Sequence, residues 1–229
     1  MATDEKTFNG YPFVRYTFET FHESEMLERS WTFYTLMDKR RSVRDFSPKN
    51  FDRKIIDNAI RAASTAPSGA HKQPWIFCVV SDPNLKAQIR QAAEKEEYDS
   101  YHGRMSDEWL EDLRPLQTNW EKPFLETAPY LIIVFKQAYD MLPDGTSRNN
   151  YYVNESVGLA CGMLITALHH AGLVALTHTP SPMNFLTKIL HRPENERPFL
   201  LIPVGFPAEE TYVPKLERKS LEKVAVYYD

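Results

Sequence analysis

Three guanidinium groups stand close together in Arg40-Arg41-Ser42-Val43-Arg44, with a hydroxyl between them. Arginine grips phosphate through paired hydrogen bonds and keeps its charge at any ordinary pH. A solvated basic patch at a helix C-terminus is the competing reading. A second candidate is Ala66-Pro67-Ser68-Gly69-Ala70-His71, where a helix stops shortly before a strand begins. Small side chains there let a flat ring or a phosphate approach backbone N–H groups. An ordinary helix-to-strand connection has the same composition. The third is Leu176-Thr177-His178-Thr179-Pro180, at the C-terminal end of an expected strand. Ligands of open α/β sheets tend to lie at such ends, although a hydroxyl-rich turn before proline reads alike.

The elements that must position these residues follow from periodicity. Residues 1–22 are polar with scattered aromatics and read as an irregular arm. Ser24 is expected to cap a helix running to about Arg40. A second helix starts at Asp52, burying Ile55, Ile56, Ala59, Ile60, Ala62 and Ala63 at helical spacing. Trp75–Val80 and Tyr130–Phe135 read as buried strands, Leu173–Leu176 and Phe199–Val204 as two more. Asp82-Pro83 is a cap followed by proline at the first helical position. Residues 104–122 read as further helix, 137–149 as an exposed loop. The apolar helix 154–171 carries Gly158, Ala160 and Gly162, small residues that allow close helix packing or a dimer contact. Val224-Ala225-Val226 reads as an edge strand whose sheet lies elsewhere. The pattern predicts an α+β fold, a mixed sheet with helices on both faces. No linker breaks it, so residues 1–229 form one expected domain, with an arm over 1–30 and an extension over 207–229.

Composition excludes several functions. The net charge is −4, which exerts no general pull on nucleic acid. No run approaches the ~18 apolar residues of a membrane span, and the N-terminus has no apolar leader core. Eight glycines form no G-x-G-x-x-G and no P-loop. G-x-S-x-G and H-E-x-x-H are absent as well. Cys78 and Cys161 lack metal spacing and read as buried thiols of a cytoplasmic protein, with no metal expected.

The three candidate segments in this order resemble the nitroreductase-like flavoproteins, over roughly residues 31–229. More closely, Thr65–His71, Thr118-Asn119-Trp120-Glu121-Lys122, Ser156–Gly162 and Pro214-x-Leu216-x-Arg218-Lys219 resemble the iodotyrosine deiodinase branch. That resemblance implies FMN as cofactor and a homodimer with two interfacial sites and exchanged tails. It implies that Arg40, Arg41, Ser42, Val43, Arg44 and Arg218 contact FMN, with Ser68 and Gly69 supplied by the other subunit. Thr177, His178 and Thr179 would cover the flavin N5 side, with Thr179 the hydroxyl that favours one-electron steps. His178 interrupts the Thr-Thr-Thr run of the vertebrate pattern, and the vertebrate membrane anchor is missing.

The resemblance also gives meaning to residues that spacing alone leaves in a solvated charge run, Glu94–Glu97. Glu97 and Tyr101 are four apart and share a helix face. A zwitterionic amino acid needs an anion for its ammonium and a cation for its carboxylate. Glu97, Lys122 and Tyr101 supply that set, while the Ala70 N–H would hold a substrate phenolate. The implied activity is reductive dehalogenation of halotyrosines, with electrons derived from NAD(P)H through an unidentified donor. A generic nitroreductase or quinone reductase would need the FMN residues but not the clamp. A binding protein that holds FMN and halotyrosine without turnover would share all of them. His169-His170 reads as a helix-end dipole contact. Trp109 and Trp120 read as core or lid packing.

Overall fold

In a computed structural model, residues 4–228 are described, and the chain falls into two compact units divided after Lys39. In the first unit, β1 (Glu5–Phe8) and β2 (Tyr11–Val14) form an antiparallel hairpin. Its turn is Asn9-Gly10, with φ of 49° and 84°. Both central residues of a type I′ turn need positive φ, which Asn and Gly tolerate best. The arm is therefore not irregular, and the Asn-Gly pair was its signal. Helix α1 (Glu23–Asp38) begins one residue before the expected cap. The cap is His22, whose ring accepts the Ser24 N–H. No residue of α1 is buried, and Leu27 and Trp31 are 65% and 69% exposed.

The second unit is built on a four-stranded sheet ordered β3 (Trp75–Val80), β4 (Tyr130–Gln137), β8 (Glu196–Gly205), β7 (Val174–Ala175). All three ladders are antiparallel. The parallel element is a bridge from Ser42 to Ala175, which makes the sheet mixed. Side chains alternate across a strand, so β4 serves two cores. Tyr130, Ile132 and Val134 face one core with α2 (Lys54–Ala63) and α6 (Val153–His170). Leu131, Ile133 and Phe135 face the other with α3 (Pro83–Asp99), α5 (Phe124–Thr127) and α7 (Asn184–Ile189). Helices thus cover both faces, as expected.

Two local expectations change, and a third segment is unpaired within this chain. The helical part of 104–122 is α4 (Asp107–Leu113) with one further 3-10 turn, and Trp109 is exposed rather than core. Residues 137–149 are not a plain loop. They fold back as β5 (Tyr139–Met141) on β6 (Ser147–Asn149). Val224–Val226 forms no strand; a 3-10 turn over Leu221–Lys223 precedes it, and Val226 is 75% exposed. A strand needs a paired neighbour, and among the described residues of this one chain the segment pairs with none.

Candidate functional site

The sheet edge positions the arginine segment. Ser42 bridges Ala175, and the Val43 N–H donates to the Ala175 carbonyl at 3.3 Å. Val43 and Phe46 bury their side chains, anchoring the segment while Arg40, Arg41 and Arg44 stay half-buried. The C-terminal extension then crosses them. Arg41 donates to the Pro214 carbonyl, and Arg218 donates to the Arg40 carbonyl at 2.9 Å. Arg40, Arg41, Ser42, Arg44 and Arg218 line one pocket of about 400 Å³ with Leu116 and Glu217. Burial, then repulsion from Arg218 and Arg41, pulls Arg40 below the usual arginine range. Among the described residues, Arg40, Arg41 and Arg44 form no salt bridge. Like charges held this close favour a multiply charged anion.

The Thr-rich turn continues from the same edge strand. His178 pairs with Leu201 through both backbone bonds, at 2.8 and 3.1 Å. Alternation then exposes Thr177 and Thr179 and turns the His178 side chain inward. The imidazole meets the Phe124 ring edge-on at 5.6 Å, and its buried Nε2 has no hydrogen-bond partner among the described residues. Burial, with Lys122 and Arg44 nearby, pushes its pKa down to about 3. It is neutral at physiological pH, and it adds no charge to the turn.

Glu97, Tyr101 and Lys122 come together as a second cluster. Lys122 Nζ lies 3.4 Å from Glu97 Oε2, with side chains only 4% and 11% exposed. The ammonium also donates to the Asn119 carbonyl and lies 5.5 Å from the Tyr101 ring centre. Burial lowers the Lys122 pKa, and Glu97 opposes that shift. Burial raises the Tyr101 phenol, which is hydrogen-bonded to Thr118. Arg44 acts on Tyr101, Lys122 and His178 alike, and Leu116 of the intervening segment lines the arginine pocket. The two clusters therefore adjoin. Thr118 and the Asn119 carbonyl carry no side-chain signature that spacing alone could single out.

Ser68, Gly69 and Ala70 lie elsewhere. Their loop precedes β3, at the sheet edge opposite β7. It also sits at the other end of the strands, since Trp75 pairs with Lys136 and Lys136 with Arg197, whereas Ala175 pairs with Val204. Three strand spacings and about seven residues of strand separate the two corners by roughly 25 Å. The loop is tightly fixed. Gly69 N–H donates to Ser156 Oγ at 3.4 Å, and Lys72 pairs with Asp140 at 3.1 Å. A Cβ on Gly69 would come within 2.9 Å of the Tyr151 carbonyl oxygen, so only glycine fits. Ala70 and His71 both hold positive φ, 50° and 54°, a costly arrangement outside glycine. Among the described residues the Ala70 N–H has no acceptor, while His71 and Lys72 donate back to Ser68 and Gly69.

Comparison with known proteins sets this geometry in context. Residues 37–206 match the nitroreductase family. An iodotyrosine deiodinase of Haliscomenobacter hydrossis is 65% identical over 216 residues, covering 94% of this chain and 97% of that protein. That of Danio rerio is 50% identical over 98% of this chain and 76% of its own length. A crystal structure of oxidized iodotyrosine deiodinase bound to FMN and 3-iodo-L-tyrosine superposes with a TM-score of 0.73. It is 34% identical, covering 86% of this chain and 98% of that one. No described helix is long and apolar enough to cross a membrane. By sequence and by fold, this chain belongs to the nitroreductase family and, within it, to the iodotyrosine deiodinases.

Proposed function

We propose that this protein is an FMN-dependent oxidoreductase that removes halogen from 3-iodo-L-tyrosine and related halotyrosines. The observation that carries this reading is the buried Glu97–Lys122 pair beside Tyr101, adjoining a pocket of four guanidiniums. A phenol-reducing enzyme without interest in an amino-acid head has no use for two buried opposite charges, which cost several kcal/mol each to desolvate. FMN fits the arginine pocket, because Arg40, Arg41 and Arg44, which form no salt bridge among the described residues, would meet its phosphate dianion there, with Arg218 lining the same pocket. Ser42 and Val43 would contact it through the backbone at the sheet edge. When bound, FMN would supply the two electrons that, with one proton, exchange the carbon–halogen bond for a carbon–hydrogen bond and release halide. Thr179 is the hydroxyl that would donate to the flavin N5, with Thr177 and the His178 backbone beside it. The Ala70 N–H would hold the substrate phenolate, a donor already fixed before the charge arrives. Electrons would come from NAD(P)H through a separate donor.

The site so assigned needs two copies of the chain. Ser68, Gly69 and Ala70 lie at the far corner of the sheet from Arg40–Arg44, and a second copy brings them onto that pocket. The exposed faces support this. No residue of helix α1 is fully buried, Leu159 is 52% exposed, and Cβ atoms on Gly158 and Gly162 would meet nothing within 4 Å among the described residues. We therefore take residues 1–229 as one functional domain per subunit, with the 1–30 arm and the 207–229 extension covering the partner. The free thiols Cys78 and Cys161 suit a cytoplasmic location; burial pushes Cys161 up to about 12. Sedimentation of the FMN-loaded protein is expected to give a dimer, and removal of residues 207–229 to weaken it. A full-length monomer that keeps FMN and activity would overturn the dimeric site.

Substrate recognition is tested by comparing 3-iodo-L-tyrosine with 2-iodophenol, which lacks the amino-acid head. Glu97→Gln removes a charge-assisted contact, so the iodotyrosine Kd is expected to rise about tenfold or more, with 2-iodophenol unchanged. Quenching of flavin fluorescence reads both. Equal losses for the two ligands would return the site to an unselective nitroreductase.

A further inference from the structure

Lys122 is held by more than its ion pair. One carboxylate oxygen, Glu94 Oε1, accepts two hydrogen bonds at 2.7 Å, from the Lys122 backbone N–H and from Arg90 Nε. Arg90 also reaches Glu126 Oε1 at 3.1 Å. One turn earlier on α3, the buried Lys86 donates to the Glu126 and Ala128 carbonyls at 2.7 and 2.8 Å. Lys86, Arg90, Glu94 and Glu97 follow one another at helical spacing, so a single face of α3 grips the whole segment 122–128. Glu94 is the member that touches the backbone of the residue bearing the ammonium.

Resting on the halotyrosine reading above, we propose that Glu94, oriented by Arg90, is a positioning residue that sets Lys122 for the carboxylate of the amino-acid head. The lysine stem has four rotatable carbons and loses much freedom when its end is fixed. Anchoring its backbone N–H to a carboxylate that is itself fixed by a guanidinium removes one source of that freedom. The second effect is electrostatic. Glu94 is one of the charges that favour the protonated form of Lys122 against burial. Losing its charge lowers the pH at which Lys122 gives up its proton. The groups facing Lys122 are Glu94 and Glu97 from α3, Tyr101, Arg44 and His178. Of these, only the two glutamates hold the proton in place.

The test uses the FMN-loaded, full-length protein with 3-iodo-L-tyrosine and 2-iodophenol as probes. Glu94→Ala is expected to raise the iodotyrosine Kd about tenfold, leaving 2-iodophenol binding and FMN content unchanged. Glu94→Gln can still accept the backbone N–H, so it recovers most of that affinity near neutral pH. Its Kd divided by the wild-type Kd, in which the ligand's own titration cancels, should then climb as pH rises. A merely structural role would move both ligands together and leave that ratio flat. Unchanged iodotyrosine binding in Glu94→Ala, equal losses for both probes, or a flat ratio in Glu94→Gln overturns the proposal. If the Ala variant does not fold, the Gln ratio alone decides. Wild-type protein that binds the two probes alike overturns the halotyrosine reading and this proposal together. A wild-type preference that survives in Glu94→Ala overturns this proposal alone.

Discussion

Lys122→Met should weaken 3-iodo-L-tyrosine binding by about a hundredfold while leaving 2-iodophenol nearly untouched, because a charge-assisted contact is worth roughly 1.5–3 kcal/mol. The substitution also strands Glu97. Both side chains are almost fully buried, and removing one partner of a buried pair costs about 3–5 kcal/mol of stability. Adding Glu97→Gln to Lys122→Met should restore most of the stability and none of the iodotyrosine affinity. That split separates a substrate clamp from a structural ion pair. The clamp assignment would fall if the double variant still preferred iodotyrosine over iodophenol.

Loss of FMN is the second large effect. Arg40 and Arg41 each offer a phosphate a charge-assisted contact of roughly 1.5–3 kcal/mol, so the double Ala variant should bind FMN between about a hundredfold and ten-thousandfold more weakly. The apoprotein, in contrast, should not suffer from losing Arg40. That guanidinium is already disfavoured by burial and by Arg218 and Arg41, so its removal relieves repulsion. Arg41→Ala has an added consequence, since Arg41 ties down the extension through the Pro214 carbonyl. Arg40→Lys keeps the charge without the planar fork and should fall between. Ultrafiltration of free FMN at two salt concentrations reads the affinity and its screening. Wild-type FMN retention in the double variant would leave the cluster a solvated patch.

Much of this was written in the chain. Buried strands announce themselves by unbroken β-branched and aromatic runs, and Trp75–Val80 and Tyr130–Phe135 fall within the observed strands. Asp82-Pro83 opens its helix as capping chemistry requires. The arginines and the Thr-rich turn were visible as types, because phosphate binding and strand-end hydroxyls are local signals. The Asn9-Gly10 hairpin is equally local, since Asn and Gly accept the positive φ that its turn requires. Val224–Val226 shows the reverse, since a β-rich run becomes a strand only where a neighbour pairs with it, and propensity alone does not supply that neighbour.

Tertiary structure decided what no local pattern encodes. Ser42 lies beside Ala175 only because the sheet places β7 at its edge. Glu94 and Glu97 sit in one charge run, yet α3 turns them to different tasks. Glu97 is buried against the Lys122 ammonium, and Glu94 holds the Lys122 backbone. Those assignments depend on a contact 25 to 28 residues away, which periodicity cannot specify. The same is true of the Ser68–Ala70 loop. Its small residues were legible, but its place at the far corner of the sheet follows from strand order, and strand order is a property of the packed whole. The sequence by itself determined which chemistry the residues could perform, because that resides in side-chain type. Which residues meet was settled by burial of two apolar faces around one sheet, because only packing brings distant positions within reach.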